Sequence, residues 1–153
     1  MQVFIIGSPL ETAEALDSRR LNKQIIECSQ ILSALHGKSA WSNHPCVLQY
    51  RGYEEWLWMY KEVLYEYYLY AHNNNATESL KENCFDLFVY WNNKTVGCTP
   101  PFHTQEYFAQ MKRRLYTKDN NHYKQWAHLG ESQENWYFVD NEWRKYINGK
   151  RIE

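Results

Sequence analysis

Long apolar runs are missing from this chain of 153 residues. Nothing approaches the roughly 20 consecutive apolar residues of a membrane helix, so no membrane partner is expected. An excess of either charge is missing too. The 17 Lys+Arg face 18 Asp+Glu, a formal net charge of -1, which excludes a protein that binds nucleic acid by bulk charge alone. Cysteine is sparse. Cys28, Cys46, Cys84 and Cys98 form no CxxC and no Cys/His pair with zinc-ligand spacing. A chain of this length fits one domain and buries roughly two-thirds of its unfolded surface without staples, so four free thiols in a reducing cytoplasm are expected. The opening MQVFIIG is apolar, but no basic stretch precedes it and no small-residue cleavage site follows, so it is not read as a signal peptide. There is no phosphate-binding P-loop, GxGxxG or GxSxG. The six histidines show no HxxxH or HExxH spacing, so neither a metal nor a cofactor is expected.

Aromatic residues, in contrast, make up 17% of the chain: 13 Tyr, 7 Trp and 6 Phe. Such side chains suit a large core and a polar-edged binding surface equally well. Ser8-Pro9-Leu10-Glu11 reads as a capping box with Pro at the first helical position. It predicts a helix from about residue 9 to a stop at Gly37, with Leu21, Ile25, Cys28, Leu32 and Leu35 as one apolar stripe. Residues 2–6 read as an extended apolar arm. After a loop closed by Asn43-His44-Pro45, a second helix is expected from about Val47 to His72, with Gly52 inside it as a bend or close approach. A third is expected from Thr77 to about Trp91, a fourth from Thr104 to Tyr116, and a short helical piece over His122–His128. The tail from Glu131 reads as an irregular aromatic segment or a short hairpin. These readings add up to a mainly α, compact single-domain bundle of about four helices spanning 1–153, expected to be a monomer.

Three places offer chemistry. Asp17, Arg20, Gln24 and Glu27 follow one edge of the first helical stripe as a polar ladder, with Arg19 and Lys23 on the opposite side. An Arg grips phosphate bidentately and a Gln pairs with a base edge, yet the same ladder serves as an ion-pair row on a helix surface. His44, before Pro45, is either an acid or base near neutral pH or a residue tying its loop together. Lys112, Arg113, Arg114 and Lys118 form a basic cluster interleaved with Tyr107, Tyr116, Tyr123 and Trp126. From Thr99 onwards there are 9 Lys+Arg against 7 Asp+Glu, whereas residues 62–98 hold 2 against 5. Basic groups among aromatics fit a phosphate backbone with an unstacked base, or simply a solvated helix face.

At Arg20-Leu21-Asn22-Lys23-Gln24, Asn43-His44-Pro45 and Tyr50-Arg51-Gly52-Tyr53-Glu54 the chain resembles the pyrimidine dimer DNA glycosylase (endonuclease V-like) family. Within that family it looks more like the bacterial and phage branch with RLNKQ, NHP and RGYE motifs. Lys118-Asp119-Asn120-Asn121-His122-Tyr123 resembles that branch's KDPxHY, and Met1-Gln2-Val3-Phe4 its opening. The resemblance implies a compact α fold that binds duplex DNA, flips out a damaged or modified pyrimidine nucleotide and cuts its glycosidic bond. It further implies an N-terminal amine that forms a Schiff base with the sugar, strand cleavage by β-elimination, a helping Glu in the first helix, and arginines on the phosphates. Carried over by position, Arg19 or Arg20 matches the motif arginine and Lys23 falls near its second basic position. The slot of the assisting Glu aligns with Arg20 or Leu21; Asp17 and Glu27 lie to either side of it. Gln2 is too large for ordinary removal of the initiator, so the free amine belongs to Met1. The expected site is therefore Met1 with Arg20, Gln24 and His44, and the expected backbone clamp is Arg19, Lys23, Lys112, Arg113, Arg114 and Lys118. A non-enzymatic nucleic-acid binder and a nucleotide- or base-modifying relative on the same scaffold are the other two readings.

Overall fold

The computed structural model describes residues 1–37, 39–72 and 99–152. The helix expected over 77–91, with Cys84 and Cys98, lies outside them.

The capping box forms as expected: the Ser8 hydroxyl accepts from the Glu11 amide, and the Glu11 carboxylate accepts from the Ser8 amide. The helix it starts, α1 (Pro9–Ala15), is short. The single helix expected to Gly37 is broken at Leu16-Asp17, where both residues are extended, and α2 (Ser18–His36) begins afresh. Asp17 is the reason. Its carboxylate caps α2 by accepting from the Arg20 amide, so the apolar periodicity runs on while the backbone turns.

The second expected helix is divided as well. His44 caps α3 (Pro45–Gln49), and α4 (Glu54–His72) follows a turn. At the turn Gly52 has φ +91°, a left-handed conformation that a helix interior excludes and glycine adopts freely. The later helical expectations shift only at their ends. α5 covers Gln105–Lys118 with Thr104 as its cap, and a 3-10 helix covers Lys124–Leu129.

A bundle of about four helices ending in an irregular tail is not what forms. The tail is a three-stranded antiparallel sheet of β1 (Asn135–Val139), β2 (Glu142–Ile147) and β3 (Lys150–Ile152), in the order β1-β2-β3. Mixed α and β structure, mainly helical, replaces the expected mainly α bundle of about four helices. The physical cause is local. Val139 pairs with Glu142 across Asp140-Asn141 (φ 54° and 59°), and Ile147 with Lys150 across Asn148-Gly149 (φ 50° and 77°). Two consecutive left-handed residues make the tight turn whose twist suits antiparallel strands, and Asn, Asp and Gly tolerate that conformation best. Aromatic cross-strand neighbours then reinforce the pairing, with the Phe138 and Trp143 rings 5.2 Å apart.

Around this frame α2 and α1 pack on α4, and α3 packs on β1. The arm is no surface appendage. Val3, Phe4, Ile5 and Ile6 are all buried, which is worth roughly 6–12 kcal/mol at about 1.5–3 kcal/mol per large apolar side chain. Its backbone, in no helix or strand, is satisfied by side chains from four directions. Tyr137 Oη donates to Met1 O (2.9 Å), Gln24 Nε2 to Gln2 O (2.7 Å) and Tyr60 Oη to Phe4 O (3.0 Å). In the other sense, Phe4 N donates to Gln24 Oε1 and Ile6 N to Thr12 Oγ1. Cys28 and Cys46 are free thiols in the core, both fully buried. Among the described residues no helix is long and apolar enough to cross a membrane.

Candidate nucleic-acid cleft

The anchored arm, one face of α2, the end of α5 and the start of β1 enclose a cleft of about 380 Å³. Met1, Gln2 and Phe4 form one wall, Arg19, Arg20, Lys23, Gln24 and Glu27 the second, and Arg114, Lys118 and Asn135 the third. Five cations thus face a single carboxylate, Glu27. The even balance of the whole chain conceals a strongly basic hollow, a field that concentrates anions.

Arg19 and Lys23, expected on the far side of α2, border the cleft beside Arg20. Both are exposed, and their long stems bring their charges over the rim. Arg20 is held more tightly. Its guanidinium lies 3.2 Å from Asp17 and 3.9 Å from Asp119, and 5.9 Å above the Tyr123 ring. Tyr123 also donates a short hydrogen bond to Asp17. Burial pushes the Asp17 carboxyl up, but the hydrogen bonds from Tyr123 and Arg20 outweigh it and hold it below the ordinary range.

Gln24 lines the cleft, yet it is 1% exposed and its amide is fully engaged by Phe4 N, Gln2 O and Glu27 Oε2. It positions the arm and orients the carboxylate; it has no free edge for a base. His44 does not border the cleft. Its Nδ1 accepts from Cys46 N (3.1 Å), capping α3, and its ring meets Trp41 and Tyr137 edge-on. Burial first, then the positive chain terminus nearby, lowers its pKa. The Tyr137 ring that meets His44 also holds Met1 O through its hydroxyl, so His44 sits near the terminus but outside the cleft lining.

The basic cluster divides. Arg114 and Lys118 border the cleft. Arg114 is fixed by Asn135 Oδ1 (3.0 Å) and Ser132 O (3.1 Å), and desolvation lowers its pKa. Arg113 is spent on Leu129 O and Gln110, and Lys112 lies over the Trp126 ring, both away from the cleft. Four residues outside the expected site line it: Gln2 and Phe4 of the arm, Glu27 and Asn135. Glu27 was visible as the last rung of the ladder. Asn135, at the start of a strand far along the chain, had no signal. No group of His, Cys, Asp and Glu suited to a metal ion occurs among the described residues. Arg51 and Tyr53 of the RGYE string border a separate hollow of about 420 Å³ with Phe102 and Phe138.

The sequence model of the pyrimidine dimer DNA glycosylases matches residues 1–78, half of the chain, taking in the arm and every α2 residue of the cleft. The chain belongs to that family. Membership supports pyrimidine dimer DNA glycosylase function in general, and with it DNA as the substrate. No curated protein and no solved structure matches the chain. The family match ends well before Arg114, Lys118 and Asn135, so the third wall of the cleft rests on the fold alone.

Proposed function

We propose that the cleft receives a flipped-out pyrimidine nucleotide of damaged duplex DNA and cuts its N-glycosidic bond, followed by strand cleavage at the resulting sugar. A hollow of about 380 Å³ holds a nucleotide but not a duplex, so the target must leave the stack. Arg19, Arg20, Lys23, Arg114 and Lys118 would take the flanking phosphates.

The Met1 α-amine attacks C1′ with its lone pair, and the bond from C1′ to the pyrimidine nitrogen breaks, its electrons leaving with the base. A primary amine with an available lone pair is the nucleophile that this step requires. The Glu27 carboxylate stabilises positive charge developing on the sugar, and the bond from Gln24 Nε2 (3.0 Å) holds it in place. The C1′–O4′ bond then opens with a proton going to O4′, leaving a Schiff base at C1′. Loss of the C2′ proton forms the C2′–C3′ double bond as the 3′ phosphate departs, which is the lyase step.

The observation that carries this reading is that Met1 and Glu27 border one cleft with five cations. No Glu stands at the motif position, which favours a non-enzymatic binder; Glu27 on the cleft wall supports the enzymatic reading instead. The test is base release and nicking of ultraviolet-irradiated duplex by wild type and Glu27→Gln. Expected is a loss of at least 100-fold in turnover, about 2.7 kcal/mol at 1.36 kcal/mol per tenfold, with DNA affinity retained. Equal turnover in the two proteins overturns it.

A further inference from the structure

We propose that Lys118 supplies a second nucleophilic amine to the cleft, so that an abasic deoxyribose is captured either by the Met1 α-amine from one wall or by Lys118 Nζ from another. The inference rests on the reading that the cleft takes a damaged deoxynucleotide.

Both residues border the same hollow. Met1 is tied through its carbonyl to Tyr137, on the β1 side. Lys118 ends α5, with Nζ 6.0 Å from the centre of the Phe4 ring, and the residue is solvent-exposed. The Phe4 backbone is itself pinned by Gln24 and Tyr60, so the ring beneath the lysine has a fixed seat. Lys23, the other lysine on the cleft, stands at the exposed rim of α2 and serves as the comparison amine when the adduct is mapped; the arginines are differently placed. Arg20 and Arg114 are held by hydrogen bonds, and guanidinium groups do not give up a proton to become nucleophiles. Among the described residues no hydrogen bond or ion pair holds the Lys118 ammonium. Partial desolvation, then the positive fields of Arg114, Lys23 and Arg20, holds it below the ordinary lysine range, with Glu27 opposing. Crowding by cations is a known way to free a lysine lone pair for attack on a carbonyl.

The step balances without a further reactant. The neutral Nζ bonds to C1′ of the ring-opened aldehyde, the carbonyl oxygen takes two protons and leaves as water, and a Schiff base remains. Water later reverses it. Borohydride, added in the test, delivers hydride to the C=N carbon and fixes the adduct as a secondary amine.

The experiment traps the full chain with borohydride on a duplex carrying one abasic site and maps the adduct by peptide mass. Expected are adducts on Met1 and on Lys118, and none of comparable yield on Lys23, or on Lys112 or Lys124, which lie off the cleft. With the α-amine blocked by acetylation, trapping at Lys118 persists, and Lys118→Arg, which keeps the charge, then lowers it at least tenfold. Adducts confined to Met1 overturn the second amine and leave the glycosylase reading standing. Adducts spread evenly over surface lysines also overturn it. No adduct and no base release from irradiated DNA overturns both.

Discussion

Replacing Gln24 by Met tests how the cleft is built. The two side chains have similar length, so packing is kept while four hydrogen bonds are lost, the weakest being a 3.5 Å contact donated by Tyr60 Oη, which keeps Phe4 O as its closer acceptor. Gln24 Oε1 accepts from Phe4 N at 3.0 Å; Nε2 donates to Gln2 O at 2.7 Å and to Glu27 Oε2 at 3.0 Å. The site is 1% exposed, so water cannot replace the partners of Phe4 N and Gln2 O. Each orphaned buried backbone group costs about 1–3 kcal/mol, so the variant should lose about 2–6 kcal/mol. Losing Glu27's partner adds little, because that carboxylate borders the open cleft. With a urea slope of about 2 kcal/mol per molar, the midpoint followed by tryptophan fluorescence should fall by about 1–3 M. Gln24→Glu sharpens the logic. It keeps an acceptor for Phe4 N but sets a carboxylate against Gln2 O and Glu27, so its deficit should shrink as pH falls and the new carboxyl gains a proton. A Gln24→Met midpoint within about 0.3 M of wild type would refute the view that this amide fastens the arm.

Arg20→Ala should cut cleavage of damaged DNA more than tenfold while costing only about 1 kcal/mol of stability, because a pair with Asp17 at partly exposed groups is weak. Equal proportional losses would make Arg20 a structural ion pair. For His44, Ala should cost about 0.5–2 kcal/mol and Asn restore most of it, since Asn also caps a helix. Thermal unfolding of the two variants decides between a cap and an acid–base role. Asp17 predicts a pH effect. Its folded pKa is depressed below the ordinary 3.8, so its contribution is complete above that value and is lost as pH falls through the folded one. Asp17→Asn keeps the cap, and urea titrations should therefore show a flatter acid limb below about pH 4; an unchanged limb would count against the carboxylate.

Local features that repeat within a few residues were legible in the sequence. The Ser8–Glu11 box, the Thr104 start of α5 and the apolar stripe of α2 rest on contacts between neighbours in the chain. Breaks in helices were harder to see. Apolar spacing continues across Asp17 and Gly52, and only the cap geometry at one and the left-handed backbone at the other interrupt it. The sheet was half visible, because Asn148-Gly149 is a strong turn signal while Asp140-Asn141 is a weaker one.

The sequence by itself determined the family, through short strings in the first half of the chain, and it determined the ladder Asp17, Arg20, Gln24 and Glu27 along one helix edge. Tertiary structure alone decided what that ladder faces. It buried the arm, turned Gln24 into its fastener, set His44 near the terminus but outside the cleft lining, and carried Arg114, Lys118 and Asn135 across more than 80 residues to close the cleft. Periodicity reports which side of a helix is apolar. Which partner meets the polar edge depends on long-range packing of the arm, α5 and the sheet, and no spacing along the chain encodes that.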